Sequence, residues 1–165
     1  MNNQVINLLH KVVPATLSYL NVNSPVAACL MVTTAYAESS LATHRYDGNE
    51  GLGVYHISAA SHRYLWDAYL AQHPDLASKV RGLASQQLFL IQPELELLSN
   101  LSYATAIAWQ LYLQSGVALP ATADPYQLAQ FWLEHFDNGS EGKTVNVFMQ
   151  SWKSLRDCHS MLLVA

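Results

Sequence analysis

The chain has 165 residues, 51% apolar and only 12% charged, with a formal net charge of −4. This composition excludes a disordered protein and predicts one compact helical domain with a substantial core. With 8 basic against 12 acidic side chains and no Lys/Arg run, it also excludes nucleic acid as the main partner.

From the N-terminus, no secretory leader is read. Met1 to Gln4 carries no basic residue, and the apolar run that follows is broken by His10, Lys11 and Pro14. A helix is predicted over Asn3 to Val13, with Val5, Leu8, Leu9 and Val12 at helical spacing. Pro14 should interrupt it, with Ala15 to Leu20 as a resumption. Ser24 and Pro25 supply an N-cap and a first helical residue, so a second helix starts there and runs to about Ala37. It is apolar nearly all round and is therefore expected at the centre of the fold, with Glu38 at or near its C-terminal end. Val26 to Ala37 is the longest weakly polar run and falls short of the ~20 residues a transmembrane helix requires.

His44 to Gly53 reads as loop or short hairpin, and Gly53 to Ile57 as a short strand. Ser61 is a candidate cap for a helix from His62 to about Gln72, and Pro74 opens another to about Val80. Leu83 to Ile91 and Glu94 to Ser115 follow, the second ended by Gly116. Asp124-Pro125 starts a helix to about Phe136, Asp137 to Ser140 is a turn, and Thr144 to about Leu155 is amphipathic. Met161 to Ala165 is an apolar tail suited to docking on the domain or on a neighbouring subunit. Cys29 and Cys158 are expected to be free thiols, formed in a reducing compartment, because they pair only if the fold brings them together.

Among candidate chemical groups, Glu38 stands out by position. The C-terminal end of a helix carries partial negative charge, which disfavours a carboxylate, and apolar neighbours such as Tyr36 and Tyr55 would desolvate it. Both effects favour the protonated form that a general acid needs. Ser39 and Ser40 are placed to orient the carboxyl group. His44, His56, His62 and His73 invite a metal reading, but their spacing fits no compact ligand set and no metal or other cofactor is expected. Gly142-Lys143-Thr144 mimics the end of a phosphate-binding loop, yet Asp137 stands where its first glycine is required.

Ala37-Glu-Ser-Ser-Leu41 resembles the E-S-x-[LF] catalytic-helix motif of lytic transglycosylases and related lysozyme-like enzymes. Gly53-Val-Tyr-His-Ile57 resembles their second motif, G-[LVI]-[MFYL]-Q-I, with His56 in place of the usual Gln. Leu101 to Leu113 is similar to the family's long central helix. Phe131 to Gly139 followed by Gly142 to Trp152 resembles the C-terminal pattern of phage-encoded members, with Phe136-Asp-Asn-Gly139 an approximate counterpart of a Tyr-Asn-x-Gly segment. The resemblance spans most of residues 25 to 155.

It implies a mainly α, lysozyme-like domain over 1–165, with a small β-hairpin or loop beside the catalytic helix. Residues 1–23 would be an N-terminal helical extension and 156–165 the apolar tail. It further implies peptidoglycan as substrate, cleaved between N-acetylmuramic acid and N-acetylglucosamine. Glu38 matches the general acid/base, and Ser39, Gly53, Tyr55 and His56 match positions that line the sugar groove. Glu38 should open into that groove, with Tyr55 and His56 on its wall. Asp47 and Glu50 are candidates for a second carboxylate. A separation of ~6.5–9.5 Å from Glu38 would suit an inverting lysozyme, and ~5 Å a retaining one. With neither in the groove, Glu38 would work alone as in a transglycosylase. The expected setting is a bacteriophage, with the protein in the virion or in host cytoplasm before delivery to the periplasm. An alternative is a virion component that keeps the fold with catalysis weakened or lost and packs against other virion proteins.

Overall fold

Helix α2, Pro25–Ala42, is the element on which the others pack. The computed structural model describes residues 3–42 and 51–164, and among these it is mainly helical. As its composition predicts, α2 is buried on nearly every side, with Ala27 to Val32 and Ala35 at most 4% exposed. Its start is fixed by Ser24, whose Oγ accepts from the Ala27 amide at 3.2 Å. The two polar side chains in its buried stretch, Thr33 and Thr34, donate to the Cys29 and Leu30 carbonyls one turn back, each at 2.8 Å.

The first helix, α1, runs unbroken from Asn3 to Tyr19 with Pro14 inside it. This corrects the expected interruption. Leu9, Val13 and Leu17 are buried on one stripe against α2, and that burial outweighs the hydrogen bond a proline forfeits. α1 is thus part of the core rather than an appended extension. The C-terminal residues also join it, as helix α10, Arg156–Val164, lies on α1 and α2 with Cys158, His159 and Leu162 buried. Cys29 and Cys158 are both buried free thiols. Burial pushes the Cys29 thiol up to about 12, and nearby Cys158 adds to the effect.

Between α2 and the central helix lie shorter pieces. Helix α3, Ala59–Tyr64, is capped by Ser58 rather than Ser61, because the Ser58 Oγ accepts from the Ser61 amide at 3.0 Å. It passes through a wide π turn, Leu65–Tyr69, and a 3₁₀ turn, Leu70–Gln72. α4 is Pro74–Leu83, α5 is Gln86–Ile91, and α6 is Glu96–Ser99 after a 3₁₀ turn at Pro93–Leu95. The single long helix expected from Glu94 is divided at Asn100. The Asn100 side chain caps α7, Leu101–Leu113, by accepting from the Tyr103 amide, and its Nδ2 donates to the Leu83 carbonyl and to Glu96. Glu96 is buried and also accepts from the Ser85 amide and hydroxyl, so one carboxylate ties α5, α6 and α7 together.

α8, Pro125–His135, is capped by Asp124 as predicted, and α9, Val145–Ser154, is capped by Thr144. Residues of α1, α2, α4, α6, α7, α8, α9 and α10 meet in one apolar core. No described helix is long and apolar enough to cross a membrane.

Candidate functional site

The expected strand or hairpin at Gly53–Ile57 is absent from the described residues. In its place Leu52 and Ile57 make a single antiparallel bridge, at 2.8 and 3.1 Å, around a tight turn. Two backbone features prevent extension. Gly53 has φ +68°, and a Cβ there would lie 2.0 Å from the Leu97 carbonyl oxygen of α6. His56 has φ +51°, the left-handed region that non-glycine residues rarely enter. Gly53 is therefore a packing glycine beneath α6.

Three contacts bind this turn to its surroundings. Ser39 Oγ donates to the Val54 carbonyl at 3.1 Å, joining it to α2. Asn138, buried in the connection between α8 and α9, donates from Nδ2 to the Tyr55 carbonyl at 2.9 Å and the His56 carbonyl at 3.2 Å. The Asn138 carbonyl in turn accepts from the Ser58 amide at 2.9 Å. The carbonyls around the strained His56 are thus satisfied from outside the turn, which stabilises its conformation.

Glu38 sits one turn before the end of α2 and is wholly buried. It does not open into a groove as expected. Trp132 of α8 closes over it and donates from Nε1 to Oε1 at 2.9 Å, and Lys143 places its Nζ 3.6 Å from the same oxygen. The second oxygen, Oε2, has no hydrogen-bond partner among the described residues. Burial raises the Glu38 pKa above the ordinary carboxylate range. The Lys143 ammonium opposes that rise, as do the nearby Asn138 and Ser140 side chains, although neither bonds Oε2, and the Trp132 N–H.

Lys143 is itself nearly buried. It donates to the Phe136 carbonyl at the end of α8 and lies 4.9 Å from the Phe136 ring centroid and 5.7 Å from that of Trp132. A helix C-terminus and two aromatic faces each favour a cation, so the ammonium is well placed even before its carboxylate is counted.

Of the residues the sequence pointed to, Glu38, Ser39 and the Gly53–His56 turn do come together. Tyr55 does not line an opening: its ring is fully buried, and its hydroxyl meets Thr105 of α7 at 3.1 Å. The amphipathic ring follows its apolar part into the core because the turn directs it inward. His56 is half-buried, with Nδ1 3.5 Å from Ser140 Oγ. Ser40 donates to the Tyr36 carbonyl one turn back. Asp47 and Glu50 lie outside the described residues, as does His44.

Trp132 and Lys143, which contact the carboxyl group, are not among the residues the resemblance assigns to the site. Trp132 reads as one more aromatic in an amphipathic helix, and Lys143 as part of a failed phosphate-loop match. Asn138 carried the only available signal, through its place in the Phe136–Gly139 segment. Among the described residues, no group of His, Cys, Asp and Glu is arranged to hold a metal. No protein-family model matches the chain, and neither a curated protein nor a solved structure does.

Proposed function

We propose that the protein cleaves peptidoglycan between N-acetylmuramic acid and N-acetylglucosamine, as a muramidase or lytic transglycosylase, with Glu38 as general acid/base. The observation that carries this reading is the state of the carboxyl group. It is buried, its proton affinity is raised above that of an ordinary carboxyl group, one oxygen is fixed by Trp132, and the other is uncommitted. A proton on Oε2 is available for the glycosidic oxygen as that bond breaks. The resulting carboxylate, stabilised by Lys143 and Trp132, then takes a proton back. It takes it from water in a hydrolase, or from the sugar's own hydroxyl as an anhydro ring closes in a transglycosylase. Substrate entry requires local opening over Glu38. A phage-encoded setting, in the virion or at lysis, fits the resemblance.

The test is cleavage of purified peptidoglycan by the folded protein and by Glu38→Gln, with products analysed for anhydro ends. Loss of cleavage by a factor of at least ~10² in the variant is expected, the lower range for removing a general acid. Cleavage that survives the substitution refutes the role of Glu38.

A second reading rests on the same residue's burial. Glu38 is closed off and ion-paired, as it would be in a virion component that keeps the fold without turnover. Folded wild type that leaves peptidoglycan intact while binding a virion protein tightly would favour it.

A further inference from the structure

Lys143 is positioned more elaborately than a structural ion pair requires. The connection that carries it turns through Gly139 at φ +79° and Gly142 at φ +75°. The first is wedged in place, since a Cβ would lie 2.5 Å from Ser58 Oγ, whereas the second has open space around it. Lys143 directly follows this glycine, and Thr144 immediately caps α9. Its Nζ reaches Oε1, the oxygen Trp132 already holds, and not Oε2.

Other elements face Glu38 with neutral groups. Tyr112 of α7 lies near enough for the Glu38 charge to raise its hydroxyl pKa further, and its OH, at 2.6 Å, is donated to Thr34, whose own proton is spent on the Leu30 carbonyl. From α8 comes the Trp132 N–H, and from the following connection the Asn138 amide and Ser140 hydroxyl. The titratable side chains of 43–50, His44, Arg45, Asp47 and Glu50, lie outside the described residues.

We propose that Lys143 is a positioning residue that sets the protonation state of Glu38. Paired at Oε1, it opposes the rise in proton affinity that burial imposes, so Glu38 holds its proton less tightly with the ammonium in place than without it. The assignment rests on the glycan-cleaving reading for its purpose but not for its physics. An ammonium within about 4 Å of a buried carboxylate favours the charged form strongly, and removing it leaves burial opposed only by the neutral donors.

The experiment is an NMR titration of ¹³C-glutamate-labelled protein, with the Glu38 carboxyl resonance identified by its loss in Glu38→Gln. In Lys143→Met the Glu38 midpoint is expected to move upward, by about tenfold or more in proton affinity. Lys143→Arg, which keeps the charge, should restore it most of the way. A midpoint unchanged in Lys143→Met overturns the proposal. If Lys143→Met does not fold, the Lys143 ammonium resonance is compared in wild type and Glu38→Gln. Slowed proton exchange in wild type that is lost in the variant supports the pair, and identical exchange refutes it. In parallel, the alkaline limb of any cleavage profile should shift upward in Lys143→Met. A shifted titration midpoint without glycan cleavage by any form keeps the Lys143 assignment and removes the glycan reading. Cleavage with an unshifted midpoint does the reverse.

Discussion

Gln110 offers the sharpest test of the packing. It lies in α7, where every residue from Tyr103 to Tyr112 is buried, and its side chain is 0% exposed. Neither its Oε1 nor its Nε2 has a hydrogen-bond partner among the described residues. An unsatisfied buried polar group costs roughly 1–3 kcal/mol, and here one side chain carries an acceptor and a donor. Gln110→Met keeps the length and lack of branching while removing both. Against a relief of ~2–4 kcal/mol stands a repacking cost of under ~1.5 kcal/mol for a near-isosteric change. The expected net gain is about 2 kcal/mol. At roughly 2–4 °C per kcal/mol for a chain of this size, Tm should rise by about 4–8 °C. Urea unfolding read by circular dichroism gives the free energy, and calorimetry the Tm. The m-value should stay unchanged. A loss of stability would refute the reasoning, since it would mean that the amide is bonded in solution, as to an internal water held by several polar partners.

Two further outcomes follow from the site and its supports. Gly53→Ala combines a left-handed backbone with a Cβ driven into the Leu97 carbonyl, so a loss of about 2–4 kcal/mol in urea unfolding is expected, and a change under 1 kcal/mol would contradict the packing of this turn. His62 and His159 are each pushed by burial from an ordinary 6.5 down to about 4, so the unfolded chain binds these protons more readily. Stability present above pH ~6.5 should be lost as the pH falls toward ~4, on the order of 3 kcal/mol for each histidine, and His159→Phe should remove one of the two contributions. Glu38 acts in the opposite sense, because its raised affinity in the fold favours folding as the pH drops, so the histidine contribution is read in the Glu38→Gln background. Stability that is flat or rises from pH 6.5 to 4 would refute this account.

The features legible in the sequence were those set by neighbouring residues. Ser24-Pro25, Asp124-Pro125 and Thr144 start helices because a cap acts within three residues, whatever the rest of the chain does. The errors arose where distant groups decided. Pro14 stays in a helix because Leu9, Val13 and Leu17 are buried around it. The apolar stripe from Glu94 onward hides the break that Asn100 makes by bonding to Leu83 and Glu96. Ser58 and Ser61 were equally good caps by type, and the tether from the Ser58 amide to Asn138 favours the earlier one. Glu38 was visible as a carboxylate near a helix end. Its partners were not, since Trp132 is 94 residues away and a lysine in a glycine-rich connection advertises nothing.

That distant assembly also bears on what Glu38 is for. Stability alone is a poor reason for the arrangement. A buried Glu–Lys pair gives back much of its Coulomb attraction in desolvation, and an apolar pair of similar volume would serve as well. Glu96, three hydrogen bonds deep in its own network, shows what a carboxylate used for structure looks like here: it accepts from Ser85 twice and from Asn100 once. Glu38 differs in that only one of its two oxygens is bonded. One oxygen accepts from Trp132 and is ion-paired with Lys143, and the other has no hydrogen-bond partner among the described residues. A proton bound there is not contested by a hydrogen bond among the described residues, while the carboxylate left after its departure has Trp132 and Lys143 already in position. The cost of that unbalanced pair is borne in the folded state, as a proton affinity higher than that of an ordinary carboxylate, and this is the property a group needs if it is to give up and recover a proton.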